Sequence, residues 1–536
     1  MSSLLLSIES LRIEARGRPL VDGVSLALNR GEVLGLIGES GAGKTTIGLA
    51  SMGYVRPGCA IASGRVVFDG QDLATLTAPA LRGIRGARIA YVAQSASASF
   101  NPARRLGHQV AESMVLHQAT GWSAAHRRAA ELFEELDLPS PGSFGERFPH
   151  QVSGGQLQRA MIAMAMACRP ELLILDEPTT ALDVTTQIEV LAAVRGMLQR
   201  HAAAGIYITH DLAVVVQLAH RLAVLQHGRL VESGPTTVIL ERPAEDYTRR
   251  LVAARTVPDR PCVDAPSEEA TPILEVRSLA AGYRTTPNVL RDISFTLKAG
   301  ESLAVVGTSG SGKSTLARVI CGLMPQQSGT VEFHGERLPS EVRARTKEQL
   351  RRVQMIYQLP DTALNPRHKV SRILGRVVSF YFGGGRDAVR RRVTELLEMV
   401  GLPPEFADRR ASELSGGQKQ RVCIARALAA RPDVIICDEV TSALDPLVAE
   451  EVLALLQSLQ ESSRAAYVFI THDIGVVRRV ATDVAVLQSG RLIAHGPISK
   501  VFAPPLHPHT RVLLESVPQL RTDWLTGILA GRKNAA

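Results

Sequence analysis

Short apolar runs recur along the chain, and each of them ends at a segment rich in glycine, acidic residues or histidine. These runs are residues 33–37, 172–175, 206–208, 302–306, 434–437 and 467–470. Continuous apolar runs of this length are typical of strands buried on both faces of a sheet. The pattern therefore predicts open, mainly parallel α/β sheets whose strands carry polar residues at their carboxyl ends.

A glycine-rich loop follows one such run in each half of the chain. The loops read GESGAGKT and GTSGSGKS, and both match G-x-x-x-x-G-K-[ST]. In this motif backbone N–H groups surround phosphate oxygens, the lysine reaches the terminal phosphates and the hydroxyl holds magnesium. A helix is expected to begin at each lysine, so that its N-terminus points at phosphate. The predicted nucleotide-binding residues are Gly38, Glu39, Ser40, Gly41, Ala42, Gly43, Lys44, Thr45 and Thr46, and Gly307, Thr308, Ser309, Gly310, Ser311, Gly312, Lys313, Ser314 and Thr315.

Further polar elements follow each loop in the same order and at matched spacing. A Ser-Gly-Gly-Gln serine precedes the glutamate of an Asp-Glu pair by 24 residues in both halves, and that glutamate precedes a histidine by 33. Such self-similarity indicates an internal duplication, here at a step of about 262–269 residues. The repeated elements are Gln94, Ser153, Gly154, Gly155, Gln156, Asp176, Glu177 and His210, and Gln358, Ser415, Gly416, Gly417, Gln418, Asp438, Glu439 and His472.

The duplication predicts two domains, residues 1–255 and 273–536, each with a C-terminal tail. Residues 256–272 between them are rich in proline, serine and charge and lack apolar periodicity. This composition is typical of a linker.

The polar residues at the strand ends suit phosphoryl transfer, which needs positioning and charge neutralisation more than covalent chemistry. Each glutamate of the Asp-Glu pairs, Glu177 and Glu439, is predicted to polarise the attacking water or take its proton. His210 and His472 are predicted to hold that water and the γ-phosphate in line. The predicted magnesium ligands are Thr45, Gln94, Asp176, Ser314, Gln358 and Asp438. The two glutamines are predicted to contact either the magnesium ion or the attacking water, and so count among the catalytic residues.

Each element taken alone has a purely structural explanation. An isolated Asp-Glu pair after an apolar strand is usually a solvated strand end, and an isolated histidine is more often structural than catalytic. The repetition of order and spacing favours chemistry for the whole set.

Composition narrows the class of protein further. The 536 residues are 45% hydrophobic and 21% charged, as in an ordinary soluble globular protein, and no apolar stretch approaches the roughly 18 residues of a membrane span. The net charge of +9 comes from dispersed arginines, and aromatic residues make up only 4%, which argues against a nucleic-acid groove. The six cysteines lack metal-binding spacing, so no zinc site or disulfide framework is expected.

The Ser-Gly-Gly-Gln elements, preceded by Val152 and Leu414, resemble the signature motif of the ATP-binding-cassette (ABC) family. Segments 180–183 and 442–445 resemble the family's D-loop. The resemblance implies two tandem ABC-type domains, each with a mainly parallel sheet, an antiparallel β subdomain and an α-helical subdomain. It also implies a head-to-tail nucleotide sandwich, in which the signature of one half completes the ATP site of the other.

One departure from the family concerns the adenine base. Tyr283 fits the aromatic residue on which the family stacks adenine, whereas an alignment of Leu11 with Leu279 places Ala15 at the same position of the first half. Adenine is therefore expected to be held less tightly at the first site.

Two further features resemble segments of the ATPases of dipeptide, oligopeptide and nickel importers. They are the Asn-Pro pair after each repeated glutamine and the Pro-rich tails at 242–248 and 505–510. This resemblance implies an ATPase at the cytoplasmic face of the inner membrane. Its implied partners are two integral membrane permease subunits and an extracytoplasmic solute-binding protein. The alternatives are a soluble two-cassette ATPase that acts on ribosomes or nucleic acid, and the ATPase of an exporter.

Overall fold

A computed structural model describes residues 3–118, 120–180, 182–254, 271–442 and 444–535, with side chains described up to 531. Its contacts divide the chain into two compact units. Unit 1 contains the described residues of 1–257, 445–447 and 518–536, and unit 2 those of 258–444 and 448–517. The predicted linker, 256–272, lies outside the described residues except for its last two positions.

Unit 1 begins with ten strands and eleven helices in the described part of residues 1–257. The strands are β1 (Leu4–Ala15), β2 (Arg18–Asn29), β3 (Val33–Gly38), β4 (Cys59–Phe68), β5 (Gln71–Asp72), β6 (Ile89–Val92), β7 (Leu172–Asp176), β8 (Ala204–Ile208), β9 (Arg221–Gln226) and β10 (Arg229–Pro235). The helices are α1 (Lys44–Ala50), α2 (Ala78–Ile84), α3 (Ala96–Ser99), α4 (Leu106–Gln118), α5 (Trp122–Glu135), α6 (Pro141–Phe144), α7 (Gly154–Met166), α8 (Val184–Arg200), α9 (Leu212–Val215), α10 (Thr236–Glu241) and α11 (Asp246–Ala253).

The central sheet of unit 1 has the strand order β10-β9-β3-β8-β7-β6. All neighbours in it are parallel except β9 and β10. Strands β3, β7 and β8 are buried along their whole length, which explains why their sequences are continuous apolar runs rather than alternating ones. The predicted parallel sheet is confirmed.

A second, antiparallel sheet of unit 1 has the order β2-β1-β4-β5 and shares one hydrophobic core with the central sheet. A separate core covers the other face of the central sheet and continues among α4, α5 and α7. The expected combination of a parallel sheet, an antiparallel β subdomain and an α-helical subdomain is confirmed.

Unit 2 repeats this plan. Its strands are β11 (Pro272–Ala281), β12 (Leu290–Lys298), β13 (Ser302–Val306), β14 (Ser328–Phe333), β15 (Glu336–Arg337), β16 (Val353–Ile356), β17 (Val434–Asp438), β18 (Ala466–Ile470), β19 (Asp483–Gln488) and β20 (Arg491–Pro497). Its helices are α12 (Lys313–Ile320), α13 (Lys347–Arg352), α14 (Pro360–Ala363), α15 (Val370–Phe382), α16 (Arg386–Met399), α17 (Gly416–Leu428), α18 (Pro446–Ser463, except its first two residues, which group with unit 1), α19 (Ile474–Val480), α20 (Ile498–Val501) and α21 (Pro508–Glu515). The sheet orders are β16-β17-β18-β13-β19-β20 and β12-β11-β14-β15.

The last helix, α22 (Trp524–Ala535), belongs to unit 1. Trp524 and Leu525 are 1% and 0% exposed and lie in the core that covers the helical side of the unit 1 sheet. Burial of an indole and a leucine side chain in that core accounts for the grouping of this segment with unit 1. Within the described residues, no helix is long and apolar enough to cross a membrane.

Candidate functional site

The glycine-rich loop of unit 1 connects β3 to α1, and α1 begins at Lys44 as predicted. Gly38 has φ +147°, and a side chain there would overlap the carbonyl of Leu225, so this turn requires glycine. The Lys44 ammonium donates to the carbonyl oxygens of Gly38 (2.7 Å) and Glu39 (2.8 Å). Burial lowers the pKa of Lys44, although nearby carboxylates oppose this effect. The lysine therefore lies folded over its own loop.

The loop hydroxyl and the strand-end aspartate meet at the end of β7. Thr45 Oγ1 donates to Asp176 Oδ1 (3.0 Å), and the Tyr91 hydroxyl donates to Asp176 Oδ2 (2.6 Å). Burial raises the pKa of Asp176, and these two hydrogen bonds offset part of the rise. Asp176 is 4% exposed, so both of its oxygens are held in a fixed orientation inside the site.

The next residue, Glu177, is the centre of a hydrogen-bond cluster. Gln94 Nε2 donates to Glu177 Oε2 (2.9 Å), and His210 Nδ1 lies 3.1 Å from Glu177 Oε1. The Thr180 hydroxyl also donates to Oε2 (3.1 Å). Both carboxylate oxygens are therefore oriented by partners from three different segments of the chain.

The pKa values of the two glutamates are shifted in the same direction. Burial raises the pKa of Glu177, but the hydrogen bond and charge of His210 and the charge of Lys44 outweigh it, so the pKa lies below its usual value. Burial also raises the pKa of Glu439, but the hydrogen bond and charge of His472 and the charge of Lys313 outweigh it, so this pKa too lies below its usual value. Both glutamates are thus ionised at neutral pH and able to accept a proton.

Unit 2 reproduces this geometry. Lys313 Nζ donates to the carbonyls of Gly307 (2.8 Å) and Thr308 (3.0 Å), and Ser314 Oγ donates to Asp438 Oδ1 (3.1 Å). Gln358 Nε2 donates to Glu439 Oε2 (2.7 Å), and His472 Nδ1 lies 3.2 Å from Glu439 Oε1. The structure therefore gathers the lysine, hydroxyl, aspartate, glutamate, glutamine and histidine of each half around one loop.

The two Ser-Gly-Gly-Gln elements form helix N-termini instead of joining these clusters within their own units. Ser153 caps α7, since its hydroxyl accepts from the N–H of Gln156 while Gln156 Oε1 accepts from the N–H of Ser153. Ser415 and Gln418 make the same reciprocal pair at α17. This capping box leaves the serine and the following glycine exposed in both units.

The two units differ at the position predicted to bind adenine. In unit 2 the residues between β11 and β12 form an eight-residue connection, 282–289, which contains Tyr283. The Tyr283 hydroxyl accepts from Arg318 (3.0 Å) and lies 3.5 Å from Thr315 Oγ1. In unit 1 a two-residue turn joins β1 to β2, and Ala15 pairs with Arg18 in the ladder. Unit 1 therefore lacks the connection that carries the tyrosine.

Two tyrosines at the first site were missed by the sequence reasoning. Tyr91 binds Asp176 as described, and strand register places Met355 at the same position of unit 2. The Tyr247 hydroxyl accepts from the N–H of Glu39 in the glycine-rich loop (3.0 Å), and His509 occupies the matching position of the second tail. The Pro-rich tails were the one signal that pointed to Tyr247. No repeat pattern marked Tyr91, because its counterpart is a methionine.

A parallel sheet with a glycine-rich loop, a buried lysine and a strand-end Asp-Glu pair defines a phosphate-loop nucleotide hydrolase. Comparison with known proteins narrows this class. The ABC transporter profile matches residues 21–180 and 290–442, and the profile for the C-terminal region of oligopeptide/dipeptide transporters matches residues 495–535. The chain therefore belongs to the ABC transporter family, and it is an ATP-binding ATPase of the import type.

The curated relatives align over almost the whole chain. The glutathione import ATP-binding protein GsiA of Salmonella paratyphi A is 39% identical, and that of Escherichia coli K12 is 38% identical. Each alignment covers 96% of this chain and 89% of the relative. Among solved structures, cbiO1 of Clostridium perfringens, part of the ABC transporter complex cbiONQ, is 30% identical with a TM-score of 0.40, covering 44% of this chain and 91% of that chain.

Proposed function

We propose that both units hydrolyse ATP with the residues that their geometry gathers. Glu177 and Glu439 each take a proton from the attacking water, and His210 and His472 keep the carboxylate and the water aligned. Lys44 and Lys313 leave the carbonyls of their own loops and move to the terminal phosphates. The observation that carries this proposal is the glutamate held between a glutamine and a histidine, which recurs in both units.

The donor set of each site also fits a magnesium ion. Thr45 with Asp176, and Ser314 with Asp438, supply the hard oxygen ligands that magnesium prefers. Gln94 and Gln358 add an amide oxygen close to each glutamate. Bound magnesium would neutralise charge on the phosphate oxygens, and the aspartates would orient it through their fixed carboxylates.

The signature elements are proposed to complete the ATP sites across the two halves. The helix N-termini that begin at Gly154 and Gly416 offer the backbone N–H groups of their first glycines to a phosphate. Each would serve the nucleotide that is bound to the loop of the other half. With domains 1–255 and 273–536 in one chain, the sandwich closes intramolecularly, which raises the effective concentration of each half for the other.

The hydrolysis cycle is proposed to power import of a peptide or a similar small solute. The match to the oligopeptide/dipeptide transporter C-terminal region supports this class, as do relatives named for import of glutathione, which is a tripeptide. In this proposal the chain binds the cytoplasmic face of two membrane permease subunits, and an extracytoplasmic protein delivers the solute. The import names of the relatives favour this proposal over the ribosomal, nucleic-acid and exporter alternatives.

Affinity purification of the chain from detergent-solubilised membranes tests the proposed assembly. We expect two integral membrane proteins to co-purify, and peptides to stimulate ATP hydrolysis when the complex is reconstituted with its solute-binding protein. Recovery of ribosomes or nucleic acid without an integral membrane partner would contradict the proposal.

A further inference from the structure

The C-terminal segment, residues 518–529, is a buried part of unit 1. Trp524 and Leu525 are almost fully excluded from solvent, and Leu520 and Ile528 pack against the same core. Arg195 of α8 also donates a hydrogen bond to the Thr526 hydroxyl (3.0 Å). The segment is therefore fixed to unit 1 by both apolar and polar contacts.

One buried side chain, Gln217, makes three polar contacts with the backbone of this segment. Gln217 Nε2 lies 2.9 Å from each of the carbonyl oxygens of Gln519 and Arg521, and Gln217 Oε1 accepts from the N–H of Leu525 (3.1 Å). Gln217 is 4% exposed, so water does not compete for these bonds. The amide thus holds the backbone of the segment just before α22 and again in the first turn of that helix.

Gln217 also belongs to the short stretch of chain that follows His210. Helix α9 begins at Leu212, directly after Asp211, whose carboxylate accepts from the N–H of Ala213. Gln217 Nε2 also lies 3.0 Å from the Ala213 carbonyl oxygen, so its two hydrogens are shared among this acceptor and the two carbonyls of the segment. The one-turn helix α9 is therefore held near Glu177 at its start, through His210, and by the C-terminal segment at its end.

Unit 2 supports the same stretch in a different way. Arg479 stands seven residues after His472, as Gln217 stands after His210. Its carbonyl accepts from Gln457 Nε2 (2.9 Å), which lies on α18 of the same unit. The support of α19 thus comes from α18, the helix that follows β17 and precedes β18 in the sequence.

We propose that the C-terminal segment is a positioning element of the first ATP site, and that it acts through Gln217 and α9 on His210. This inference rests on the proposed function, since it assumes that His210 responds to the γ-phosphate. If the inference holds, the environment of residues 518–529 changes when a nucleotide binds at Lys44. These residues lie within the region matched by the oligopeptide/dipeptide transporter profile.

The two tryptophans of the chain allow a direct test. Trp122 is 41% exposed and stacks on His108, far in sequence from both loops, whereas Trp524 is buried in the segment. In a Trp122→Phe chain, Trp524 is the sole indole, and its emission reports the segment. We expect ATP with magnesium to change this emission. Adding Lys44→Ala should abolish the change, and adding Lys313→Ala should leave it in place.

A matched pair of variants separates the proposed route from a general effect. Gln217→Ala should remove most of the ATP-induced change and lower kcat while leaving KM for ATP unaltered. Gln457→Ala, which frees the corresponding stretch of unit 2, should leave the Trp524 response unaltered. The inference would be overturned if the ATP-induced change in Trp524 emission were the same in both variants. It would also be overturned if Trp524 emission in the Trp122→Phe chain did not change while a filter assay showed bound ATP. Absence of ATP binding in the filter assay would instead overturn the proposed function.

Discussion

Gln94 Nε2 donates a 2.9 Å hydrogen bond to Glu177 Oε2, which ties the loop after β6 to the residue after β7. His210, from the end of β8, lies 3.1 Å from the other oxygen of the same carboxylate. Neighbouring strands β6, β7 and β8 therefore each contribute one member of the cluster. Because parallel strands end at the same edge of the sheet, residues that are distant in sequence meet there.

Replacing the glutamates tests their role as bases. Glu177→Gln and Glu439→Gln keep the size of each side chain but remove the carboxylate that accepts the proton. Loss of a general base typically costs about 10²–10⁴-fold in rate, so the double variant should be nearly inactive. ATP binding, measured by filter assay in the same preparations, should persist. Hydrolysis at the parent rate in the double variant would contradict the assignment.

Removing the glutamine partner should have a smaller effect. Gln94→Ala deletes one hydrogen bond to the Glu177 carboxylate but leaves those from His210 and Thr180. A single bond contributes about 1 kcal/mol, which corresponds to a loss of about fivefold in kcat at this site. Steady-state kinetics checks this, with Gln118→Ala as the control because Gln118 lies on α4, outside the cluster. Equal kcat in Gln94→Ala and Gln118→Ala would count against a positioning role.

Tyr91 provides a test that is specific to the first site. Tyr91→Phe removes the hydroxyl that donates to Asp176 Oδ2 and leaves that buried oxygen without this donor. We expect a loss of about 1–3 kcal/mol in the free energy of unfolding, measured by urea denaturation. Tyr357→Phe, at the half-exposed tyrosine after β16, is the control and should be close to neutral. A neutral Tyr91→Phe would show that the bond does not contribute.

The acid stability of unit 1 should depend on Glu171. Burial raises the pKa of Glu171, but hydrogen bonds from Arg88 and Arg30 outweigh it, so the folded-state pKa lies below its ordinary value of 4.5. The stabilisation is therefore complete above pH 4.5 and is lost as the pH falls through the folded-state pKa. Glu171→Gln should lower stability at pH 7 and flatten the decline below pH 4.5. Glu134→Gln, at an exposed glutamate of α5, should reproduce the parent's acid profile.

Much of the fold could be predicted from the sequence. The buried strands β3, β7 and β8 are uninterrupted apolar runs, and the helix starts at Lys44 and Lys313 follow from the glycine loops. The repeat then indicated which polar residues act together. In each unit the structure places the repeated glutamine and histidine within hydrogen-bonding distance of the glutamate, and the loop hydroxyl within that distance of the aspartate, whereas the Ser-Gly-Gly-Gln elements cap helices.

Other features could not be predicted, because they depend on contacts between distant segments. Glu177 and Glu439 adopt left-handed backbone angles, φ +48° and +47°, while their N–H groups bond Ile208 and Ile470. No local sequence signal marks a glutamate for a conformation that costs about 1–2 kcal/mol. The burial of Trp524 in the core of unit 1 could not be predicted for the same reason. The apolar pattern of a C-terminal helix shows that one face is buried, but not which part of the chain it packs against.

The number of ATP molecules bound per chain tests the central claim, two ATP sites in one polypeptide, most directly. Equilibrium binding to the Glu177→Gln, Glu439→Gln double variant avoids turnover during the measurement. We predict two ATP per chain, falling to one when either Lys44→Ala or Lys313→Ala is added. A stoichiometry of one in the double variant, or one that neither lysine substitution changes, would contradict the account.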